Sequence, residues 1–117
     1  MALPGAGKVV IKGVAAPPPG KGIRVDANGQ DVAVFNIGGS LYGIDADCTH
    51  AGGPLDEGTV TEHRVECPWH GSVFDVDTGK VLRSPARAPV RAYRVYLEAE
   101  GLVLEPRPMD SGVPSGH

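Results

Sequence analysis

The sequence predicts an all-β domain, a sandwich or barrel of antiparallel strands, on three observations. Stretches of alternating polarity are short, as in DVAVFNI (31–37) and VRAYRVYL (90–97), and a period of two marks a strand. Turn-forming residues are abundant, with 17 glycines and 11 prolines among 117 residues. No helical period long enough to define a helix runs through any part of the chain.

Taken in order, Lys8–Lys12 (KVVIK) is rich in β-branched residues and reads as the first strand. Residues 15–22 contain three consecutive prolines, which cannot donate to a sheet, and form a rigid connector. Ile23–Asp26 is a candidate second strand, closed by the turn Ala27-Asn28-Gly29. In 31–37, Val32, Val34 and Asn36 share one face, and Ala33, Phe35 and Ile37 the other. Gly38-Gly39 is a hairpin turn signal, and Leu41–Ile44 returns antiparallel. Thr59–Glu66 (TVTEHRVE) reads as one alternating strand with Val60 and Val65 candidates for burial. Val73–Val76, a turn at Asp77–Lys80, and Val81–Leu82 follow. In 90–97, Val90, Ala92, Arg94 and Tyr96 oppose Arg91, Tyr93, Val95 and Leu97. A turn at Glu98–Gly101 and a strand at Leu102–Glu105 close a single domain over 1–105, and the Pro/Gly/Ser-rich residues 106–117 read as a disordered tail.

A chain of this length buries roughly two-thirds of the surface its unfolded form exposes, enough for one modest core. A formal charge of −3 gives a nucleic-acid partner no electrostatic support. No apolar run approaches the roughly 18 residues needed to cross a bilayer. The stretch Met1-Ala2-Leu3-Pro4 lacks the basic start of a secretory signal, so the simplest expectation is a cytoplasmic monomer.

Two clusters carry the chemistry: Cys48-Thr49-His50 and Cys67-Pro68-Trp69-His70, separated by residues 51–66, sixteen in all. They use both cysteines of the chain and two of its four histidines. Each offers one thiolate and one imidazole, so together they read as four metal ligands: Cys48, His50, Cys67 and His70. One tetrahedral zinc is compatible with such a donor set. Zinc pairs usually space their cysteines by two to four residues, however, whereas C-x-H is shorter and mixes ligand types. A [2Fe–2S] centre with both cysteines on one iron and both histidines on the other fits better. A disulfide lacks an oxidising context here, and a cysteine nucleophile with a histidine base leaves the second Cys/His pair unexplained.

The segments Cys48-Thr49-His50-Ala51-Gly52-Gly53-Pro54-Leu55 and Cys67-Pro68-Trp69-His70-Gly71-Ser72-Val73-Phe74-Asp75, followed by Thr78-Gly79, resemble those of Rieske [2Fe–2S] proteins. The likeness spans about residues 8–105 and is greatest to the small soluble Rieske-type ferredoxins of bacterial ring-hydroxylating oxygenase systems. It implies stacked antiparallel sheets, with the two loops forming a small cluster-binding subdomain at about 46–86. It also implies one [2Fe–2S] cluster and two transient partners, a flavoprotein reductase fed by NADH or NADPH and a terminal oxygenase.

The resemblance assigns further residues around the cluster. Ser72 matches a serine whose hydroxyl bonds a bridging sulfide in high-potential members. Phe74 stands where those members carry a tyrosine that bonds a cysteine sulfur, so that donor is missing here. Their extra disulfide is also absent, since Thr49, Leu55 and Trp69 offer no thiol. The potential is therefore expected in the lower part of the range of about −150 to +300 mV for this centre type. Pro85 matches the third loop that covers the cluster. Trp69, between two ligands, is a shield, a docking spot or simple packing. The histidines are expected near the surface, where their second ring nitrogens make the potential fall at alkaline pH. Arg83, Arg87, Arg91 and Arg94 form a basic run that reads as a solvated face, and His63 as a surface residue.

Both loop histidines are spent as ligands, and the sequence carries no second metal motif, flavin fingerprint or nucleotide loop. One-electron transfer between larger proteins is the most economical function, with no catalysis by the chain itself. The alternatives are a small subunit of a nitrite reductase or another redox complex, a zinc-stabilised binding module, and a redox sensor.

Overall fold

A computed structural model of the chain, which describes residues 8–49 and 52–106, is built of ten strands and one short 3₁₀ turn. A six-stranded antiparallel sheet has the order β1 (Val9–Lys12), β10 (Gly101–Pro106), β9 (Ala92–Glu98), β4 (Ser40–Asp45), β3 (Gln30–Ile37) and β2 (Gly22–Ala27). A smaller antiparallel sheet contains β5 (Thr59–Thr61), β6 (Arg64–Glu66), β7 (Val73–Asp75) and β8 (Val81–Arg83). The large sheet curls until its edge strands β1 and β2 touch, although no ladder joins them.

Local sequence sets the hairpins of the large sheet. Asn28 and Gly29 have φ of 62° and 93°, and Gly38 and Gly39 have 63° and 92°. Left-handed conformation at both central residues gives a two-residue turn whose twist matches the flanking strands. The register then places Val32 opposite Val25 and Asp45, and Phe35 opposite Gly22 and Tyr42. Gly22 is required there, because a Cβ would lie 2.7 Å from the Phe35 ring.

The alternation in β3 separates two cores instead of a core from solvent. Val32 and Val34 join Val25, Ala27, Tyr93, Val95, Leu102 and Leu104 on one face. Ala33 and Phe35 join Ile44, Leu55, Val65, Phe74, Val76 and both cysteines on the other. The second core packs the small sheet against the large one. Phe35 and Phe74 are fully buried within it, each worth about 1.5–3 kcal/mol of transfer free energy.

Thr59–Glu66 is a hairpin, not the single strand its alternation predicts. Thr61 pairs with Arg64, and Glu62-His63 forms the turn, with Glu62 at φ 56°. The pattern hides the reversal, because Val60 and Val65 face each other across the ladder and both point inward. His63 is exposed at the tip and meets the edge of the Tyr42 ring at a centroid distance of 5.0 Å. The 3₁₀ turn Leu55–Glu57, absent from the sequence reading, buries Leu55 beneath the first cysteine loop. Strand β10 extends one residue past the expected boundary, to Pro106, and the rest of the expected tail lies outside the described residues.

Candidate metal centre

The first loop leaves β4 and is pinched at its neck. Leu55 N–H donates to Ala46 O at 2.7 Å, Asp47 bridges to Pro54, and Cys48 N–H donates to Gly53 O at 2.9 Å. Gly52 N–H donates back to Cys48 O at 2.8 Å, completing a tight turn with Gly52 at φ 76°. The second loop joins β6 to β7. Cys67 N–H donates to Ser72 O at 2.7 Å, and Trp69 N–H donates to Cys67 Sγ at 3.4 Å. His70 and Gly71, with φ of 73° and 78°, turn the chain back.

These two loops meet. Gly53 of the first lies so close to the second that a Cβ on it would sit 2.5 Å from Cys67 Sγ and 3.0 Å from Trp69 Cβ. Both cysteines are unbridged and buried, at 3% and 1% exposure. Burial pushes the Cys67 thiol up, the Trp69 N–H pulls it back down, and the charge and hydrogen bond of Cys48 push it up again. The two sulfurs are therefore neighbours in a buried site that disfavours a free thiolate at Cys67, an arrangement that a cationic centre relieves.

His70 is exposed at the tip of the second loop. His50 lies outside the described residues. Trp69 touches Gly53 yet remains 49% exposed, so it combines packing with an open face.

Ser72 is fully buried, and its Oγ accepts from Ala86 N–H at 2.9 Å. A hydroxyl carries one proton in addition to its acceptor sites, so this contact does not engage that proton. Phe74 is buried in the same core as both cysteines and brings no polar group. Pro85, partly buried after a cis Ser84–Pro85 bond, lies in a segment fastened to both ligand loops. Ser72 holds that segment at Ala86, and Thr49 Oγ1 donates to Ala88 O at 2.6 Å. Thr49 was visible in the sequence only as a residue without a thiol; its partner is 39 residues away.

The basic run is a set of exposed side chains, most of them paired. Arg83 lies 3.9 Å from Glu66, Arg91 3.7 Å from Asp45 and Arg94 4.0 Å from Glu105. Exposed pairs of this kind contribute at most about 1 kcal/mol each.

Two adjacent buried thiols, an exposed imidazole and a buried hydroxyl with a proton to give form a donor set that fits a mixed-ligand iron–sulfur centre. Residues 7–94 match the family model of the Rieske [2Fe-2S] domain. The chain belongs to this family. A 3-phenylpropionate/cinnamic acid dioxygenase ferredoxin subunit of Escherichia coli (strain K12) is 36% identical over 93 residues, covering 79% of this chain and 87% of that protein. The ferredoxin of carbazole 1,9a-dioxygenase from Nocardioides aromaticivorans IC177 superposes with a TM-score of 0.76 at 34% identity, over 85% of this chain and 99% of that one. A ferredoxin in a complex of reduced oxygenase and oxidized ferredoxin of carbazole 1,9a-dioxygenase gives 0.74 at 32%, over 83% and 93%. This Rieske protein thus takes one Rieske-type [2Fe–2S] cluster as its cofactor and is an electron carrier, not a catalyst. Among the described residues no helix is long and apolar enough to cross a membrane.

Proposed function

We propose that Cys48, His50, Cys67 and His70 hold the cluster, the cysteines on the inner iron and the histidines on the outer. We further propose that the protein passes single electrons from a flavin-dependent NAD(P)H reductase to a terminal oxygenase, as a cytoplasmic monomer that meets each partner transiently. The cluster-binding part is about 46–86 within one domain over 1–105. The observation that carries this reading is the contact of Gly53 with Cys67 Sγ, which brings two loops distant in sequence to one place with both sulfurs buried.

When bound, the cluster supplies a one-electron couple whose potential is raised by replacing two thiolates with imidazoles. The chain supplies the rest. Cys48 and Cys67 exclude water from the inner side of the site through their burial. Ser72 offers its remaining proton to a sulfur and withdraws charge. His70 presents its ring at the exposed end, where a partner approaches within a short transfer distance. Trp69 gives that end an apolar face against which a partner surface can desolvate.

Reconstitution tests the reading. The purified protein, mixed with a flavoprotein reductase, NADH and the terminal oxygenase of a ring-hydroxylating system, is expected to support substrate turnover in proportion to its concentration. The Cys67→Ser variant, folded but unable to supply its inner thiolate, is expected to support none. Turnover that proceeds equally with Cys67→Ser refutes the assignment.

A further inference from the structure

One charged group binds the large sheet to the first ligand loop. Arg24, on β2, makes bonds to three carboxylates that lie far apart in sequence. Its Nη1 donates to Asp31 at 2.8 Å, its Nη2 to Asp47 at 3.0 Å, and its Nε to Asp56 at 3.2 Å, with Nη2 also 3.1 Å from Asp56. Asp31 is on neighbouring β3, so that bond lies within the sheet. Asp47 and Asp56 sit on opposite legs of the loop, one immediately before Cys48 and the other immediately after Leu55. A single guanidinium therefore spans the neck through which the loop enters and leaves.

The neck is otherwise held by backbone contacts: Leu55 N–H to Ala46 O, the bridge between Asp47 and Pro54, Cys48 N–H to Gly53 O, and Ala46 N–H to Asp31 O of β3. Beyond it come Gly52 and Gly53, whose freedom makes the segment costly to fix. A planar fork with five donors can hold two legs at a set separation, which the point charge of a lysine cannot. Asp56 is the most sheltered of the three acids, its side chain 12% exposed, so the fork is anchored on the returning leg. The outgoing leg is held through Asp47, at 56% exposure.

We propose that Arg24 is a positioning residue that clamps the two legs of the first ligand loop and so fixes Cys48 for the cluster. The inference rests on the ligand assignment above and goes beyond it, because Arg24 touches no expected ligand. Asp31 provides the internal control. Its loss removes one ion pair of the same kind while leaving both legs clamped.

The test is the rate at which the oxidised holoprotein loses its visible absorption to excess ferrous and ferric chelator, together with the EPR spectrum of the reduced form. Arg24→Gln is expected to lose the cluster about tenfold faster than wild type, and Asp47→Asn and Asp56→Asn about threefold faster each, in line with partly exposed pairs. Asp31→Asn is expected to match wild type. The EPR lines of Arg24→Gln and Asp47→Asn broaden as the loop samples more geometries, and those of Asp31→Asn stay sharp; a purely structural contribution changes no line width. Should Arg24→Gln fail to fold, Asp47→Asn and Asp56→Asn decide alone, since each leaves two carboxylates on Arg24. Equal acceleration in Asp31→Asn and Asp47→Asn, or wild-type rates throughout, overturns the clamp while leaving the ligand assignment standing. A wild-type protein that carries no [2Fe–2S] absorption refutes the assignment itself and the clamp with it.

Discussion

At Gly53 the site depends on the absence of one atom. Gly53→Ala would put a Cβ 2.5 Å from Cys67 Sγ and against Trp69, well inside contact distance. Neither neighbour can yield, because Cys67 is buried and Trp69 Cβ is fixed to the loop backbone. The expected outcome is a folded protein with iron content well below two atoms per chain; full loading of Gly53→Ala would mean that the loops tolerate a wider gap. Ser72→Ala acts differently. It leaves the Ala86 N–H without its buried acceptor, a loss of about 1–3 kcal/mol in stability. If Ser72 donates to a sulfur as proposed, the reduction potential falls as well. Voltammetry that finds the potential unchanged would confine Ser72 to holding the Ala86 segment. The two Cys/His clusters stood out in the sequence because their spacing is local, and the structure brings Cys48 and Cys67 together in one buried place. The reason for Gly53 did not stand out, since it lies in an atom of another loop.

At the scale of elements, the hairpins at Asn28-Gly29 and Gly38-Gly39 were readable and the one at Glu62-His63 was not. Asn28-Gly29 and Gly38-Gly39 announce left-handed turns by composition. Glu62-His63 makes its turn without glycine or asparagine, and Glu62 pairs with Arg64 at 2.9 Å to help hold it. Both Val60 and Val65 face the core, so a reversal leaves the alternation looking unbroken. A left-handed φ of 56° costs an ordinary residue about 1–2 kcal/mol, and more for a β-branched one. Glu62→Val is therefore expected to have a lower thermal midpoint than Glu62→Gly, measured on the holoprotein. Equal midpoints would show that the turn relaxes freely. The 3₁₀ turn at Leu55–Glu57 and the clamp at Arg24 escaped the sequence for a shared reason: Leu55 packs in the core beside β2 and β3, and Arg24 reaches Asp56, both well outside any local window.

For the molecule as a whole, the curled sheet explains why β3 has no solvent face. A strand buried on both sides reads as alternation between two apolar sets, and nothing in the sequence says that both are interior. The same curl buries Tyr93, whose phenol donates to Asp45 Oδ1 at 2.6 Å. Burial raises the Tyr93 pKa, and the Asp45 hydrogen bond and charge raise it further against a smaller opposing effect of Arg91. The unfolded chain then loses this proton near the ordinary value of about 10 while the native state keeps it. Stability from Tyr93 is thus fully present below about pH 10 and is lost as pH rises beyond it. Between about pH 9 and about pH 11, the thermal midpoint of the wild-type holoprotein should fall more steeply than that of Tyr93→Phe. Parallel slopes would remove Tyr93 from the alkaline limb.

Nitrogen and sulfur donors sharing one diiron centre is the claim on which the electron-carrier account stands. EPR of the dithionite-reduced protein, with electron–nuclear double resonance to detect nitrogen, measures it directly. The account predicts a reduced [2Fe–2S] signal with couplings to two imidazole nitrogens, and their reduction to one in His70→Cys. A signal without nitrogen coupling, or a colourless protein with no signal at all, would contradict it.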